Sequence, residues 1–186
     1  MSAYKSIPSS TKPTKTKTIY PLTKDEAKRH LRIDLDFKDD DAYILSLIKA
    51  STQYAEQYIG KDIAYTSSVQ EIYDFIGDEL FLNEGNFIEI SSIVDENSTS
   101  YTTSEERELY NSIYVKLSST VDADPLTITY ITGFAEGTTP EIIKQAILID
   151  VANLYDRDRT SDNSKRAGGG RDVVHRLLDA YKIIII

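Results

Sequence analysis

The chain has no cysteine, no tryptophan, one methionine and two histidines among its 186 residues. Without cysteine there are no disulfides, thiolate metal sites or cysteine nucleophiles. Without tryptophan the usual aromatic platform of a carbohydrate cleft is missing, and the acids form no obvious pair for glycosidase chemistry. No apolar run approaches the length of a membrane span. The opening MSAYKSIPSSTKPTKTKT lacks the apolar core of a signal peptide, so a protein made and used in a cytoplasm is expected. Asn97-Ser98-Thr99 spells a glycosylation sequon, which without secretion is a chance match.

What charge there is falls unevenly. The net charge is −9, yet Met1 to Tyr20 carry Lys5, Lys12, Lys15 and Lys17 and no acid. Between Glu71 and Glu108 a dense run of acids, from Asp74, Asp78 and Glu79 to Glu105 and Glu106, faces the single base Arg107. The balance reverses through Arg157, Arg159, Lys165, Arg166, Arg171 and Arg176. An acidic middle disfavours wrapping of nucleic acid, because neutralising phosphates needs a basic face. It suits a solvated surface packed against differently charged protein neighbours.

With 40% apolar and 27% charged residues, the chain is ordinary for a folded protein and long enough for one well-buried domain. Its organising stretch is Pro125 to Arg159. Leu126, Ile128 and Tyr130 alternate with Thr127 and Thr129, the period-two signature of a strand. Gly133 and Gly137 end it, and Thr139, Pro140 and Glu141 open a long helix as N-cap, first-turn proline and dipole complement. Ile143, Ile147, Val151 and Leu154 share its core face, while Ile142 and Ile149 lie nearly opposite with Ala146 between. Such a helix is covered by several neighbours, or by its own chain on one side and another subunit on the other. Asp150 falls close to the core stripe and is expected to find an ion pair or act as a capping acceptor.

Earlier in the chain, Met1 to Tyr20 are rich in Ser, Thr, Lys and Pro and predict an extended or disordered arm. Thr23 and Glu26 have the spacing of a capping box for a short helix ending near Arg32 to Asp34. His30 on that helix has no second ligand at helical spacing and is expected on the surface or in packing. The acids Asp34, Asp36, Asp39, Asp40 and Asp41 miss the calcium-loop pattern, which would need glycine at position 39 and glutamate at position 45. Asp39, Asp40 and Asp41 are expected instead to cap and electrostatically favour a second helix, about Asp41 to Ile59, that ends at Gly60. Tyr43, Leu47, Tyr54 and Tyr58 form a stripe beside its core face, suited to a core edge or a half-wet subunit boundary.

From Ile63 to Thr132 the pattern turns to strands, at Val69–Ile76, Glu79–Leu82, Phe87–Val94, Ser112–Leu117 and Leu126–Thr132. Asp158 to Gly170 reads as a flexible polar loop. Its glycines lack the preceding strand and following Lys-Ser/Thr of a phosphate cradle. A last helix is expected over about Arg171 to Tyr181, with His175 lacking a partner. Four terminal isoleucines, Ile183, Ile184, Ile185 and Ile186, need cover from a neighbour or from the chain's own sheet.

Helix, helix, strand-rich insert, strand-turn-helix and final helix make an α+β fold. The segment Leu22-Thr23-x-x-Glu26-Ala27-Lys28-x-His30-Leu31-Arg32-Ile33-Asp34, with Asp40-Asp41-x-Tyr43-Ile44, resembles the opening of the head-tail connector (adaptor) proteins of tailed bacteriophages. Tyr130-Ile131-Thr132-Gly133-Phe134 with Pro140 to Leu148 is similar to that family's strand-turn-helix, and Leu177-Leu178-x-x-Tyr181 to its ending. The resemblance implies a non-enzymatic virion protein without cofactor or metal, built on a mainly helical core of about four helices. Residues 21–181 would form one connector-like domain with a strand-rich insert at about 63–133, flanked by the basic arm 1–20 and the apolar tail 182–186. It further implies a dodecameric ring under the portal, in the neck between capsid and tail, assembled in the host cytoplasm and leaving a channel for DNA. Tyr43, Leu47, Tyr54, Tyr58, Ile142 and Ile149 are then candidates for subunit contacts. Leu177, Leu178, Tyr181 and Ile183 to Ile186 are candidates for portal contact. The competing reading from another class is a small monomeric or dimeric ligand-binding or regulatory domain with a concave apolar pocket.

Overall fold

In the computed structural model Thr23 closes the capping box expected of it. Its side chain accepts from the Glu26 N–H at 3.2 Å, and Glu26 Oε2 accepts from the Thr23 N–H at 2.7 Å. The described residues are 9–82, 85–109, 112–159 and 169–182, and they divide into a helical unit (from 19 to 64 and from 134 on) and a sheet unit (up to 18 and 65 to 133).

The helical unit contains α1 (Lys24–Leu31), α2 (Asp41–Ile59), α3 (Glu141–Arg159), α4 (Gly169–Leu178) and a 3-10 turn (Asp179–Tyr181). Arg32 stops α1 in the left-handed conformation at φ 59°, and Gly60 does the same for α2 at φ 79°. Core side chains recur at helical spacing: Ile44, Ile48, Ala55 and Ile59 on α2, and Ile143, Ala146, Ile147 and Val151 on α3. Val174 and Leu178 of α4 join them. α4 starts two residues before the expected Arg171, because Gly169 and Gly170 are helical rather than loop.

Beyond α2 the chain turns back beneath a buried carboxylate. Glu56, 7% exposed, accepts the N–H groups of Ile63 and Ala64 through Oε1, both at 3.0 Å. These donors are enclosed and have no place in a helix or sheet ladder, so Glu56 fixes the exit from α2. Glu56→Ala is expected to cost about 2 to 3 kcal/mol by leaving buried N–H groups without their acceptor; urea denaturation followed by circular dichroism measures it.

The sheet unit contains β1 (Ser9–Ser10), β2 (Thr14–Ile19), β3 (Tyr65–Tyr73), β4 (Phe75–Leu82), β5 (Phe87–Val94), β6 (Thr103–Leu109), β7 (Ser112–Ala123) and β8 (Leu126–Thr132). One sheet has the order β1-β3-β8-β5, with β2 also on β3; the other is β4-β7-β6. The chain passes from the first sheet to the second through a single residue, Asp74 at φ 53°, whose N–H donates to Asp124 Oδ1 at 3.3 Å. The return lies beside it, at the cis Asp124-Pro125 bond. Between β5 and β6, Asp95 holds a tight turn by accepting the N–H groups of Asn97 and Thr99 and the Tyr101 hydroxyl. A bulge interrupts β4 at Gly77, where φ is 150°; backbone conformation, not crowding, calls for glycine there. Phe75, Leu80, Leu82, Ile113, Val115, Leu117 and Ile128 fill this unit's core, with Tyr130 fully enclosed.

The α+β class stands, but the mainly helical description does not, since the strands hold as many described residues as the helices. In the described part of the N-terminal arm, β1 and β2 pair with β3, the extended alternative of the two expected. Thr11 anchors it, exchanging hydrogen bonds with the backbone of Glu71.

Candidate functional site

Lys28 is the most buried charged group among the described residues. Its side chain is fully enclosed, and its ammonium donates to the carbonyls of Leu35 and Phe37 and to Asp41 Oδ1 at 2.9 Å. The aspartate-rich segment 34–41 is therefore wrapped around a cation supplied by the chain itself. Asp41 also takes Lys24 on its other oxygen, at 2.5 Å. The expectation that Asp40 caps α2 is corrected. It sits at the N-cap position, but makes no capping hydrogen bond and its Oδ2 accepts the Tyr155 hydroxyl. Among the described residues no cluster of three or more metal-ligating side chains occurs.

Hydrogen bonds from Lys24 and Lys28 hold the Asp41 carboxyl below the usual carboxylate range, and the bond to Asp41 raises Lys24 above the usual lysine value. For Asp41 the lowered folded value means stability present above about pH 4 and lost as the pH falls through that folded value. For Lys24 the raised value means stability present below about pH 10 and lost as the pH rises through it. Asp41→Asn should therefore lower stability at neutral pH and flatten the acid limb below about pH 4. Melting temperatures recorded from pH 2 to 7 on both proteins check this; parallel acid limbs would refute it.

The stripe on α2 divides. Leu47 is 8% exposed and belongs to the chain's own core, whereas Tyr43, Tyr54 and Tyr58 are half-buried at its margin. Tyr43 meets Tyr155, with ring centroids 5.9 Å apart. Tyr54 and Tyr58 meet α4 and the 3-10 turn. The Tyr54 hydroxyl lies 2.6 Å from His175 Nε2, and the Tyr58 ring stacks on the imidazole at 4.4 Å and 3°. The Tyr58 hydroxyl donates to Asp179 Oδ1 at 2.5 Å, and Lys182 Nζ sits over the same ring, 4.6 Å from its centroid. The bond to Asp179, helped by burial and the carboxylate's charge, raises the Tyr58 phenol above its ordinary value. His175, expected to lack a partner, thus has two. The contact with Tyr54 spans 121 positions, which no local spacing displays.

The other expected residues scatter. Ile142 is 46% exposed and Ile149 half-buried on α3. Asp150 is half-buried and makes no hydrogen bond or ion pair among the described residues, contrary to expectation. His30 is exposed, as read from its spacing. Of the portal-contact candidates, Leu178 is fully enclosed in the helical core, Leu177 and Tyr181 are half-buried, and Ile183 to Ile186 lie outside the described residues. In the sheet unit an exposed cross-strand row runs over β4, β7 and β6. Phe81 is 58% exposed, its ring 5.4 Å from Tyr114, and Arg107 lies over the other side of the row at 5.4 Å from the same ring. Glu79 accepts the Tyr114 hydroxyl at 3.0 Å.

Residues 22–177 match the model of the head completion protein family, and the chain belongs to that family. It is accordingly a viral structural protein of the phage head-tail adaptor type and not an enzyme. No curated protein matches the sequence. Among solved structures, the fold is similar to a chain in the virion of the native gene transfer agent (GTA) particle, at 16% identity and TM-score 0.69, covering 93% of this chain and 97% of that one. It is likewise similar to chains in the neck of the empty GTA particle computed with C6 symmetry (15% identity, TM-score 0.70, 93% and 97% covered) and the neck of the native particle computed with C12 symmetry (16%, 0.68, 95% and 97%).

Proposed function

We propose that the protein is a ring-forming head-tail connector of the virion neck, docking on the portal and joining capsid to tail around a channel for DNA. The observation that carries this reading is the likeness over nearly the whole chain to a neck protein in a particle computed with C12 symmetry, in a chain of the head completion family. A ring of twelve copies is the reading that this symmetry supports. The acidic sheet unit suits a channel wall or outer surface that does not grip DNA, because like charge repels phosphate. Ile142, a large apolar side chain 46% exposed on α3, is the foremost candidate for the neighbouring subunit.

Light scattering on the purified protein, alone and mixed with the portal protein encoded nearest to it, tests the reading. A ring-sized species, alone or with portal, is expected; a compact monomer or dimer that ignores portal would overturn it. Leu177, Tyr181 and the isoleucine tail remain the portal-facing candidates. Deleting Ile183 to Ile186 is expected to abolish portal binding in the same assay while leaving the circular dichroism spectrum and melting temperature unchanged.

A further inference from the structure

Two open sheet edges of the sheet unit carry opposite charge. Among the described residues β2 pairs with β3 on one side and with no strand on the other, and β6 pairs only with β7. From Ser9 to Ile19 the charged side chains are Lys12, Lys15 and Lys17, with no acid. β6 holds Glu105, Glu106 and Glu108 against the single base Arg107. Period two puts Lys15 and Lys17 on one face of β2 and Glu106 and Glu108 on one face of β6, at the same spacing. The two strands, six and seven residues long, are exposed or half-buried throughout. An open edge offers backbone N–H and C=O groups to any strand, and its charges decide which strand it admits. Two β2 edges brought together oppose lysine to lysine, and two β6 edges oppose glutamate to glutamate; both are unfavourable. Pairing β2 with β6 sets opposite charges across the ladder. The remaining edges suit β2 less well. On β4, Asp78 and Glu79 lie 4.0 and 3.6 Å from Lys116 of the same sheet, and β5 carries one acid, Glu89.

We propose that the open edge of β2 in one copy adds to the open edge of β6 in a second copy, extending the β4-β7-β6 sheet by one strand. Charge complementarity between two surfaces of the same chain specifies that occupant. Both strands keep the partners they have within their own chain. Because the two edges differ, the contact is head-to-tail, the kind that generates a ring when its rotation closes. With Lys15 and Lys17 across from Glu106 and Glu108, Thr16 lies across from Arg107 whichever way the two strands run. The inference rests on the homo-oligomer reading above and names the surface that joins the copies.

Charge reversal tests it. Lys15→Glu/Lys17→Glu makes both edges acidic, and Glu106→Lys/Glu108→Lys makes both basic. Each variant alone is expected to self-associate about tenfold more weakly than wild type in the light-scattering assay above, with circular dichroism confirming its fold. An equal mixture of the two, in which every contact again joins opposite charges, should recover the wild-type assembly. A second measurement does not depend on the reversed variants. Thr16 and Arg107 are exposed and the chain has no cysteine of its own. Thr16→Cys mixed with a tagged Arg107→Cys and oxidised should give a mixed disulfide at twice the 21.0 kDa chain mass, about tenfold in excess of either variant linked to itself. Unchanged assembly of both reversed variants, no recovery in their mixture, or no excess of mixed disulfide would each overturn the edge pairing. Rings indifferent to these changes leave the connector reading intact and remove this inference. Recovery and mixed disulfide in species that stop at dimers or open chains, with or without portal, keep the inference and remove the ring.

Discussion

Lys28→Met is expected to destabilise the helical unit by about 3 kcal/mol or more, the usual cost of breaking a buried, hydrogen-bonded ion pair from one side. The methionine fills much of the volume of the lysine stem, so lost packing is a minor part of the effect. What disappears is the ammonium that joins two carbonyls of the 35–37 turn to the first turn of α2. Asp41 keeps Lys24, whereas the carbonyls of Leu35 and Phe37 lose this donor. Chemical denaturation gives the size of the loss. Hydrogen exchange gives its location, since amides between α1 and α2 should lose protection first. A loss below about 1 kcal/mol would mean that the turn holds without its cation.

Ile113→Ala is expected to remove about 3 kcal/mol from the sheet unit, the usual loss for a fully enclosed isoleucine. Ile113 lies on β7, the central strand of its sheet, paired with Leu82 on one side and Glu108 on the other. It is fully buried, and Leu80, Leu82, Val115 and Leu117 share its cluster. The next residue provides the control. Tyr114 points to the opposite face, so Tyr114→Ala should cost only about 1 kcal/mol through its cross-strand contacts with Phe81 and Arg107. Equal losses at the two positions would contradict the assignment of faces.

Where one face is apolar and the other polar, the sequence showed the element directly. α2, β5 and β8 have the bounds read from their periodicity, and the capping box of α1 is where Thr23 and Glu26 put it. The elements that escaped notice lack that contrast. β6, Thr-Ser-Glu-Glu-Arg-Glu-Leu, is an edge strand charged along much of its length, and β2 alternates threonine with lysine so that neither side is apolar. Both are held by backbone pairing to a neighbour, which leaves no trace in local composition. The partnership of His175 with Tyr54 and Tyr58, like the three acceptors of Lys28, depends on the packing of distant helices or the path of a loop. A buried lysine on a short helix looks the same in sequence as an exposed one.

The strand order imposes a schedule on the growing chain. β8 is the last strand made, yet it fills the middle of its sheet between β3 and β5. Until Thr132 has left the ribosome, β3 and β5 have no common partner and their apolar residues must wait uncovered. That waiting segment is the one dense in glutamate and aspartate, and charge along open strand edges disfavours edge-to-edge pairing. The strands that wait longest for their partner are thus the ones that carry the negative charge.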